Sequence, residues 1–556
     1  MSSSDIHNMM QQRFELPDWN EWEEAAERSL KGKTVDSLKT MTAEGITLHP
    51  LYSAPAESNE NIRPSQRKWI SAQPAAGRTG SEWIASMSES LEKGNEALYI
   101  EGRTSIEWDD ASLHALAELM KQHPIAFMHI DPQDHLLEVF EMIPPHERKK
   151  VTGLLMASEF ELTLGYEQIR TIGIDLEPLH MDGADSVTEL AIALTEAADH
   201  AAKAPSFDQF RENVFFRFPA DTHFFMEISK FRAFRTLWQL FSSAYGESEL
   251  TSVPLIGVTS LRSFSKIDPY VNLLRAGNSA FSAVLGGADW LTVYPYNELT
   301  GNSAQSLRYA RNVQLIIREE THADKVIDPG GGSYFIEQLT EELVQKAWER
   351  FLEIEESGGR EVFLQSGKLQ QLADERKTDA ATGVTSLIGT SVYANPENHN
   401  AADNAFRIET SRPAYPFEEL RKKAAEGPID IRLLVFGSLK SYKPRADFAT
   451  GFLAAGGLTA LHSPAFSDAA SAIEWLCVEK PDYAIVCAAP DMTEQVTPDL
   501  IANKPASLLL DVAGRVSEEL TSEWLSRGLN GFVYNGQNRI EKITQILNRC
   551  KGGAEA

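Results

Sequence analysis

The chain has 556 residues, enough at roughly 150 per domain for two to four domains, and its 42% hydrophobic and 24% charged residues are ordinary globular usage that excludes bulk disorder. The charge sum of 52 Lys and Arg against 80 Asp and Glu, net −28, opposes polyanionic partners, so nucleic acid and anionic membrane are poor candidates.

Residues 1–45 read as an N-terminal arm and then a helix near 22–30 that Gly32 ends. Phe14, Leu16, Trp19 and Trp22 need a surface to cover them, either the chain's own body or a partner chain, because terminal arms order only when tied down. Residues 46–393 alternate β-rich runs with helix-length amphipathic segments, the pattern of repeated βα units on a parallel sheet. Strands are expected at 69–73, 97–101, 125–131, 171–176, 214–218, 255–259 and 290–294, and helices at 81–91, 112–121, 187–202, 222–243 and 304–320. Seven strands with one unfound make an α/β fold closed as a (β/α)8 TIM-type barrel the economical solution, with function at the strand C-terminal ends. Residues 394–428 lack periodicity and read as a linker. Residues 429–556 hold five further β runs, at 429–437, 459–462, 483–488, 508–512 and 531–534, with helix-length segments at 445–455, 467–479, 517–527 and 540–550. That is the doubly wound, flavodoxin-like pattern, whose ligand crevice lies at the carboxyl ends of the strands.

Cys477, Cys487 and Cys550 are too few and too unpatterned for a disulfide framework or a zinc site, which fits a reducing compartment. Residues 1–13 are polar and no window approaches about 18 consecutive apolar residues, so a cytoplasmic location is expected, with no secretion signal and no membrane span.

The motif search is sparse. The loop Gly437-Ser-Leu-Lys-Ser-Tyr-Lys-Pro-Arg445 has no G-x-G-x-x-G and no G-K-[ST], and its three cations read as a solvated basic loop. Asp328-Pro-Gly-Gly-Gly-Ser-Tyr-Phe335 reads as a structural turn, since no Lys follows at the P-loop offset. The 13 histidines form no H-E-x-x-H or paired metal spacing. His180 follows a strand, where barrel enzymes keep acid and base groups, but a lone His beside carboxylates is more often structural.

Several strings go further. Leu30-Lys-Gly-Lys, Thr42-Ala-Glu-Gly-Ile46, Pro50-Leu-Tyr52, Phe225-Met-Glu-Ile-Ser-Lys-Phe-Arg-Ala-Phe-Arg-Thr-Leu-Trp238, Asp268-Pro-Tyr-Val-Asn272, Ala310-Arg-Asn-Val-Gln-Leu-Ile316 and Asp328-Pro-Gly-Gly-Gly-Ser-Tyr334 together resemble the cobalamin-dependent methylmalonyl-CoA mutase family. The resemblance runs from about residue 14 to 550 and implies a CoA-threading barrel followed by a flavodoxin-like cobalamin-binding domain.

The departures carry the functional expectation. Catalytic members of the family carry G-x-D-x-H-x-x-G in the first loop of the last domain, where the His ligates cobalt and the Asp orients the imidazole. Alignment on Gly437 puts Leu439 at the Asp, Ser441 at the His and Pro444 at the second Gly, a degenerate loop that is expected to bind no cofactor. Asp511-Val512 replaces the family's glycine pair after the fourth strand and is expected to obstruct the cofactor's nucleotide-tail slot. In the barrel, the family's R-P-W-T-x-R-Q-Y resembles Arg67-Lys-Trp-Ile-Ser-Ala-Gln-Pro74, which keeps Arg67 as a residual CoA contact and has Pro74 for the catalytic Tyr. The family's Y-H-M resembles Leu179-His-Met181, which keeps His180 and loses its Tyr neighbour.

The pattern is similar to the small, non-catalytic subunit of heterodimeric mutases of this family. The resemblance implies no cofactor and no metal on this chain, adenosylcobalamin on a catalytic large-subunit partner, and an exchange of (R)-methylmalonyl-CoA with succinyl-CoA by that pair. The alternatives are a stand-alone CoA-thioester-binding protein and a non-radical enzyme that uses His180.

Overall fold

The structure, a computed structural model, describes residues 18–53, 68–103, 105–158, 160–247, 251–398 and 411–552. Among them the chain is mixed α/β, and apart from one short antiparallel hairpin, Thr40–Met41 with Thr47–Leu48, its sheets are parallel. No described helix is long and apolar enough to cross a membrane.

In the first body the strands are β1 (Ile70–Ser71), β2 (Leu98–Glu101), β3 (Ile125–Ile130), β4 (Gly153–Ala157), β5 (Ile169–Arg170), β6 (Ile172–Asp175), β7 (Val214–Ala220), β8 (Leu255–Thr259) and β9 (Trp290–Thr292). One sheet has the order β1-β9-β8-β7-β6 and another the order β2-β3-β4-β5. Strand β7 is buried along its whole length, which is why it reads as an apolar run on both faces rather than as an alternation. The helices between strands start where side-chain oxygens take up orphan backbone N–H groups. Asp109 caps α1 (Asp110–Met120), Asp185 caps α2 (Ser186–Lys203), and Ser303 caps α5 (Ala304–Thr321), which follows α3 (Phe224–Ala244) and α4 (Val271–Leu285). Phe216 and Phe218 of β7 pack on Phe234 of α3, with ring centroids 4.5 and 4.9 Å apart, so one stripe of α3 forms the core wall of this strand.

All seven strands expected in this body are present within a few residues, and β4 is the one not found by pattern. Its first residue, Gly153, has φ +132°, and a Cβ there would lie 2.1 Å from the Ile125 carbonyl oxygen, so a residue that reads as a break is the only kind that fits. The strand expected at 171–176 begins earlier: β5 pairs with β4, and β6, one residue later, pairs with β7. At the opposite edges the Glu96 and Ala97 N–H groups both donate to the Ser71 carbonyl, at 3.0 and 3.1 Å, and Pro74 bridges Tyr99 in parallel.

The N-terminal helix Trp19–Ser29 has a capping box between Asp18 and Glu21, and none of its residues is buried. Its Trp19 and Trp22 rings lie 5.0 Å apart. Phe14 and Leu16 of the expected arm lie outside the described residues.

In the second body β10 (Ile431–Val435), β11 (Ala460–His462), β12 (Tyr483–Cys487), β13 (Leu509–Ala513) and β14 (Gly531–Val533) form one parallel sheet in the order β11-β10-β12-β13-β14. Separate apolar clusters cover its two faces. The loop expected at 437–445 is not a loop. Helix α6 (Leu439–Ala455) begins there, with Pro444 in its second turn on an exposed face where water can satisfy the carbonyl that proline leaves unpaired. Helix α7 (Pro490–Asn503) was also not anticipated; Pro490 at its first position reads as a breaker but is pre-set for a helix start.

The stretch expected as a linker holds a helix, Tyr415–Ala425, that ties the bodies together. Arg412 Nη1 and Nη2 donate to Glu418 Oε1 and Oε2 at 2.8 and 2.7 Å, Nη1 also donates to the Phe264 carbonyl at 2.8 Å, and Glu418 Oε1 accepts from the Lys266 N–H at 2.9 Å. Phe417 packs with Ile267, Ala380 and Ala455 beside this pair. Since the pair is buried, removing one member leaves an uncompensated charge: Arg412→Met is expected to cost about 3–5 kcal/mol. The double variant Arg412→Met/Glu418→Leu is expected to recover much of that loss. Urea unfolding of the full chain checks both, and a single-variant loss under about 1 kcal/mol, the range of exposed pairs, would show the joint to be solvated.

Candidate functional site

A cavity of about 690 Å³ lies beyond the C-terminal ends of β1, β2 and β9, the edge where βα units present functional groups. Pro74, Ala75 and Arg78 after β1, Tyr99 and Glu101 on β2, and Tyr294 and Glu298 after β9 line it. Pro74, at the family's Tyr position, therefore contributes an apolar wall.

Three of the lining residues, Tyr99, Glu101 and Tyr294, belong to a buried charge network. Its centre is Arg217 of β7, whose side chain has no solvent exposure. Arg217 Nη1 donates to Asp175 Oδ1 and Oδ2 at 3.0 and 2.9 Å and to Glu177 Oε2 at 2.7 Å, while Nη2 donates to the Tyr294 hydroxyl at 2.8 Å. The Tyr294 and Tyr99 hydroxyls donate to Glu177 Oε1 at 2.9 Å and Glu101 Oε2 at 3.1 Å. His129 bridges two carboxylates, with Nδ1 2.9 Å from Glu101 Oε1 and Nε2 2.7 Å from Asp175 Oδ2, and Arg103 reaches to 3.6 Å from Glu177.

Burial pushes the Glu101 and Asp175 carboxyls upward, but the His129 and Arg217 charges outweigh it and hold both below the ordinary range. Burial likewise opposes the charged His129 ring, and its bonds to Asp175 and Glu101 overcome this and raise it. Among the described residues, the Glu101, Asp175 and Glu177 carboxylates thus engage Arg217, Arg103 and His129 within one network.

His180 lies elsewhere. It is fully buried on the short helix Glu177–Met181 and does not line the cavity. Its Nδ1 is 2.6 Å from Glu189 Oε1 and its Nε2 2.6 Å from Ser260 Oγ, contacts of serine–histidine–acid type. Ser260 is itself only 1% exposed, its Oγ also accepts from the Arg262 N–H at 3.0 Å, and Glu189 Oε2 is held by Lys230 at 2.8 Å. A substrate carbonyl has no approach, and the group works as a buried ion cluster. Leu179 packs in the core beside it. Arg67, the expected CoA contact, lies outside the described residues; its neighbour Trp69 is fixed by Gln314 at 2.9 Å and by the Arg318 guanidinium 4.9 Å over the ring.

In the second body Leu439 is 62% exposed at the first position of α6, and the Ser441 hydroxyl donates to the Ser438 carbonyl at 2.7 Å, so neither faces a common centre. Arg445, one turn on, bonds the Ala488 carbonyl at the end of β12, and a Cβ on Gly514 after β13 would be 3.1 Å from Arg445 Nε. The helix and this guanidinium lie across the strand ends at the switch point between β10 and β12. Asp511 does not obstruct a slot after the fourth strand. It lies inside β13, fully buried, where it accepts from the Tyr483 hydroxyl at 2.6 Å and Asn530 Nδ2 at 2.7 Å and pairs with Lys542 at 2.5 Å. The Asp328 glycine turn is structural as expected: Arg232 bonds Asp328 and Glu337, and Glu337 Oε1 also accepts from the Gly332 N–H at 3.0 Å. Among the described residues no group of three or more His, Cys, Asp or Glu side chains could hold a metal ion.

Sequence reasoning missed Arg217, Glu101, Asp175, Glu177, His129 and Tyr294 because they come from five strands. Arg217 had a visible signal, a lone guanidinium inside the apolar run Val214-Phe-Phe-Arg-Phe218.

The His180 cluster yields a pH prediction. Burial lowers His180 to about 4, so its contribution is lost as pH falls from about 6.5 to 4. Burial raises Glu227, 2.6 Å from Lys230, to about 7, so its contribution is gained as pH falls from 7 towards about 4.5, and the two offset. Glu227→Gln removes only the gain. Against the wild-type chain, that variant is expected to lose about 3 kcal/mol more stability between pH 7.5 and 4.5, read from urea unfolding across that range; parallel profiles would contradict the assignment.

A family model described as methylmalonyl-CoA mutase matches residues 155–425. The methylmalonyl-CoA mutase small subunit of Porphyromonas gingivalis is 27% identical over 406 residues, 67% of this chain and 65% of that protein. The probable methylmalonyl-CoA mutase small subunit of Mycobacterium tuberculosis is 28% identical over 559 residues, 87% of this chain and 90% of that one. The Streptomyces virginiae small subunit is 28% identical over 424 residues, 72% and 68% of the two chains. Over residues 155–425 the chain is similar to the methylmalonyl-CoA mutase family, and these relatives place the likeness with its members of the small-subunit type.

Proposed function

We propose that this chain is the non-catalytic small subunit of a methylmalonyl-CoA mutase, which pairs with a large subunit that interconverts (R)-methylmalonyl-CoA and succinyl-CoA. The large subunit carries the adenosylcobalamin, and this chain binds none. In this reading residues 46–393 form a (β/α)8 barrel, 394–428 a joint, and 429–556 a flavodoxin-like domain, all in the cytoplasm. The edge contacts at Ser71 and at β5–β6 support closure of the barrel, and the parallel strand order 2-1-3-4-5 supports the second assignment.

The observation that carries the proposal is the engagement of the buried cations around Arg217. A site for an acyl group that ends in a carboxylate is best served by an uncommitted buried cation, and here Arg217 and His129 are committed to Asp175, Glu177 and Glu101, while Arg78 in the cavity lining is exposed. The residues at the cobalt-ligand positions do not fit cobalamin either. No imidazole is offered there, the segment is helical from Leu439, and Arg445 covers the strand ends. The sealed position of His180 removes the support for a non-radical enzyme built on it. The helix Trp19–Ser29, none of whose residues is fully buried on this chain, favours a partner for the arm.

With adenosylcobalamin supplied, the purified chain alone is expected not to isomerise methylmalonyl-CoA, and addition of the large subunit should give activity and a co-eluting complex. Deletion of residues 1–28 should leave the chain folded by circular dichroism and weaken that complex at least tenfold, about 1.4 kcal/mol. Turnover by the isolated chain would overturn the reading, and undiminished binding after the deletion would move the interface away from the arm.

A further inference from the structure

One ring nitrogen of the strand-end network stands between two partners that require opposite protonation states. His129 Nε2 is 2.7 Å from Asp175 Oδ2, which needs a proton on that nitrogen, and 3.2 Å from Arg103 Nη2, which needs a lone pair there. The other nitrogen, Nδ1, is 2.9 Å from Glu101 Oε1 and can donate in either state. Arg103 is held loosely. Its guanidinium stands 3.6 Å from Glu177 and 3.9 Å from Asp175 and Glu101, beyond hydrogen-bond range, with 34% of the side chain exposed. Asp175, by contrast, accepts from Arg217 Nη1 at 3.0 and 2.9 Å and from the Glu177 N–H at 3.0 Å whatever the ring does. The backbone aims the ring. His129 has φ +52° and lies where the register of β3 against β4 shifts, between Phe127 and Ile130. Its carbonyl packs so closely on Gly102 that a Cβ there would be 2.3 Å away.

We propose that His129 and Arg103 form a proton switch at the strand ends of the first body. With the ring protonated, Nε2–H donates to Asp175, and the imidazolium repels Arg103 and keeps it outside. When the Nε2 proton leaves to solvent, the bare nitrogen accepts from Arg103, which moves in from its place beside Glu177, while Nδ1–H stays on Glu101. Asp175 loses one donor and remains paired with Arg217. The charged groups around the ring are Glu101 of β2, Arg103 just after it, Asp175 of β6, Glu177 beyond it and Arg217 of β7. The bonds to Asp175 and Glu101 raise the ring's hold on its proton, so the switch turns above the ordinary 6.5. The stability the charged ring contributes is therefore complete below about pH 6.5 and is lost as pH rises through the folded-state value. The switch rests on this chain's own side chains and is independent of its assignment as a small subunit.

Nuclear magnetic resonance of the full chain, labelled with ¹⁵N in its histidine rings, tests this from about pH 5 to 9. The His129 signals are identified by their loss in His129→Gln. The ring is expected to be half-titrated above about pH 6.5, and its neutral form to carry the proton on Nδ1 with Nε2 bare. Arg103→Met removes both the like charge and the donor to the bare nitrogen. That variant, folded by circular dichroism, should raise the pH of half-titration by about 0.5 or more. A neutral ring protonated on Nε2, which would keep its bond to Asp175, would overturn the proposal in the unaltered chain. Half-titration at or below about pH 6.5, or half-titration that Arg103→Met leaves unmoved or lowers, would overturn it as well.

Discussion

Arg217 lies midway along a strand that is buried from end to end, with its guanidinium wholly out of water. A charge in that position must be paired and hydrogen-bonded, and the surrounding structure meets this requirement. Asp175 at the end of β6 and Glu177 just beyond it supply the counter-charge. Their excess is in turn met by His129, which draws in Glu101. The tyrosine hydroxyls of Tyr99 and Tyr294 close the remaining bonds. Most of these partners stand at or near strand C-terminal ends, so one wall of the cavity beyond β1, β2 and β9 is made of the protein's own paired groups.

The second body follows the same logic with different parts. Where a flexible, ligand-bearing loop would leave the strand ends accessible, α6 starts at once after Gly437, whose φ of +81° permits the sharp entry. Arg445 then lies over the ends of β12 and β13. Asp511 and Lys542 pin the C-terminal helix Arg539–Gly552 to the sheet from below. Both bodies therefore spend polar groups on internal compensation. The buried Arg412–Glu418 joint extends this to the relation between the bodies.

Much of the fold was legible in the sequence because strand runs such as Leu255-Ile-Gly-Val258 are free of polar side chains and helix starts carry capping residues such as Asp185 and Ser303. The failures share a cause: residues that usually break structure were used inside it. Gly153 opens β4, Pro444 sits within α6, and Pro490 begins α7. Helix α4 escaped because five of its seven buried residues are Ala or Ser, which give little apolar signal. The site was less legible. The positions Leu439, Ser441 and Pro444 could be read one by one, but the network at the strand ends of the first body needs long-range contacts such as Arg217 to Tyr294, 77 positions apart, and Tyr294 to Glu177, 117 apart. Asp511 was misplaced because its strand ends three residues later than the pattern of glycine replacement implied, with Gly514 as the true turn residue.

The account's central claim is that the strand ends of the second body are covered by α6 and Arg445 and admit no cobalamin. It is tested most directly by a spectrophotometric titration of the isolated full-length chain with hydroxocobalamin, followed by gel filtration. The account predicts that the absorption spectrum of the corrinoid is unchanged and that no corrinoid elutes with the protein. Saturable uptake of one cobalamin per chain would contradict it.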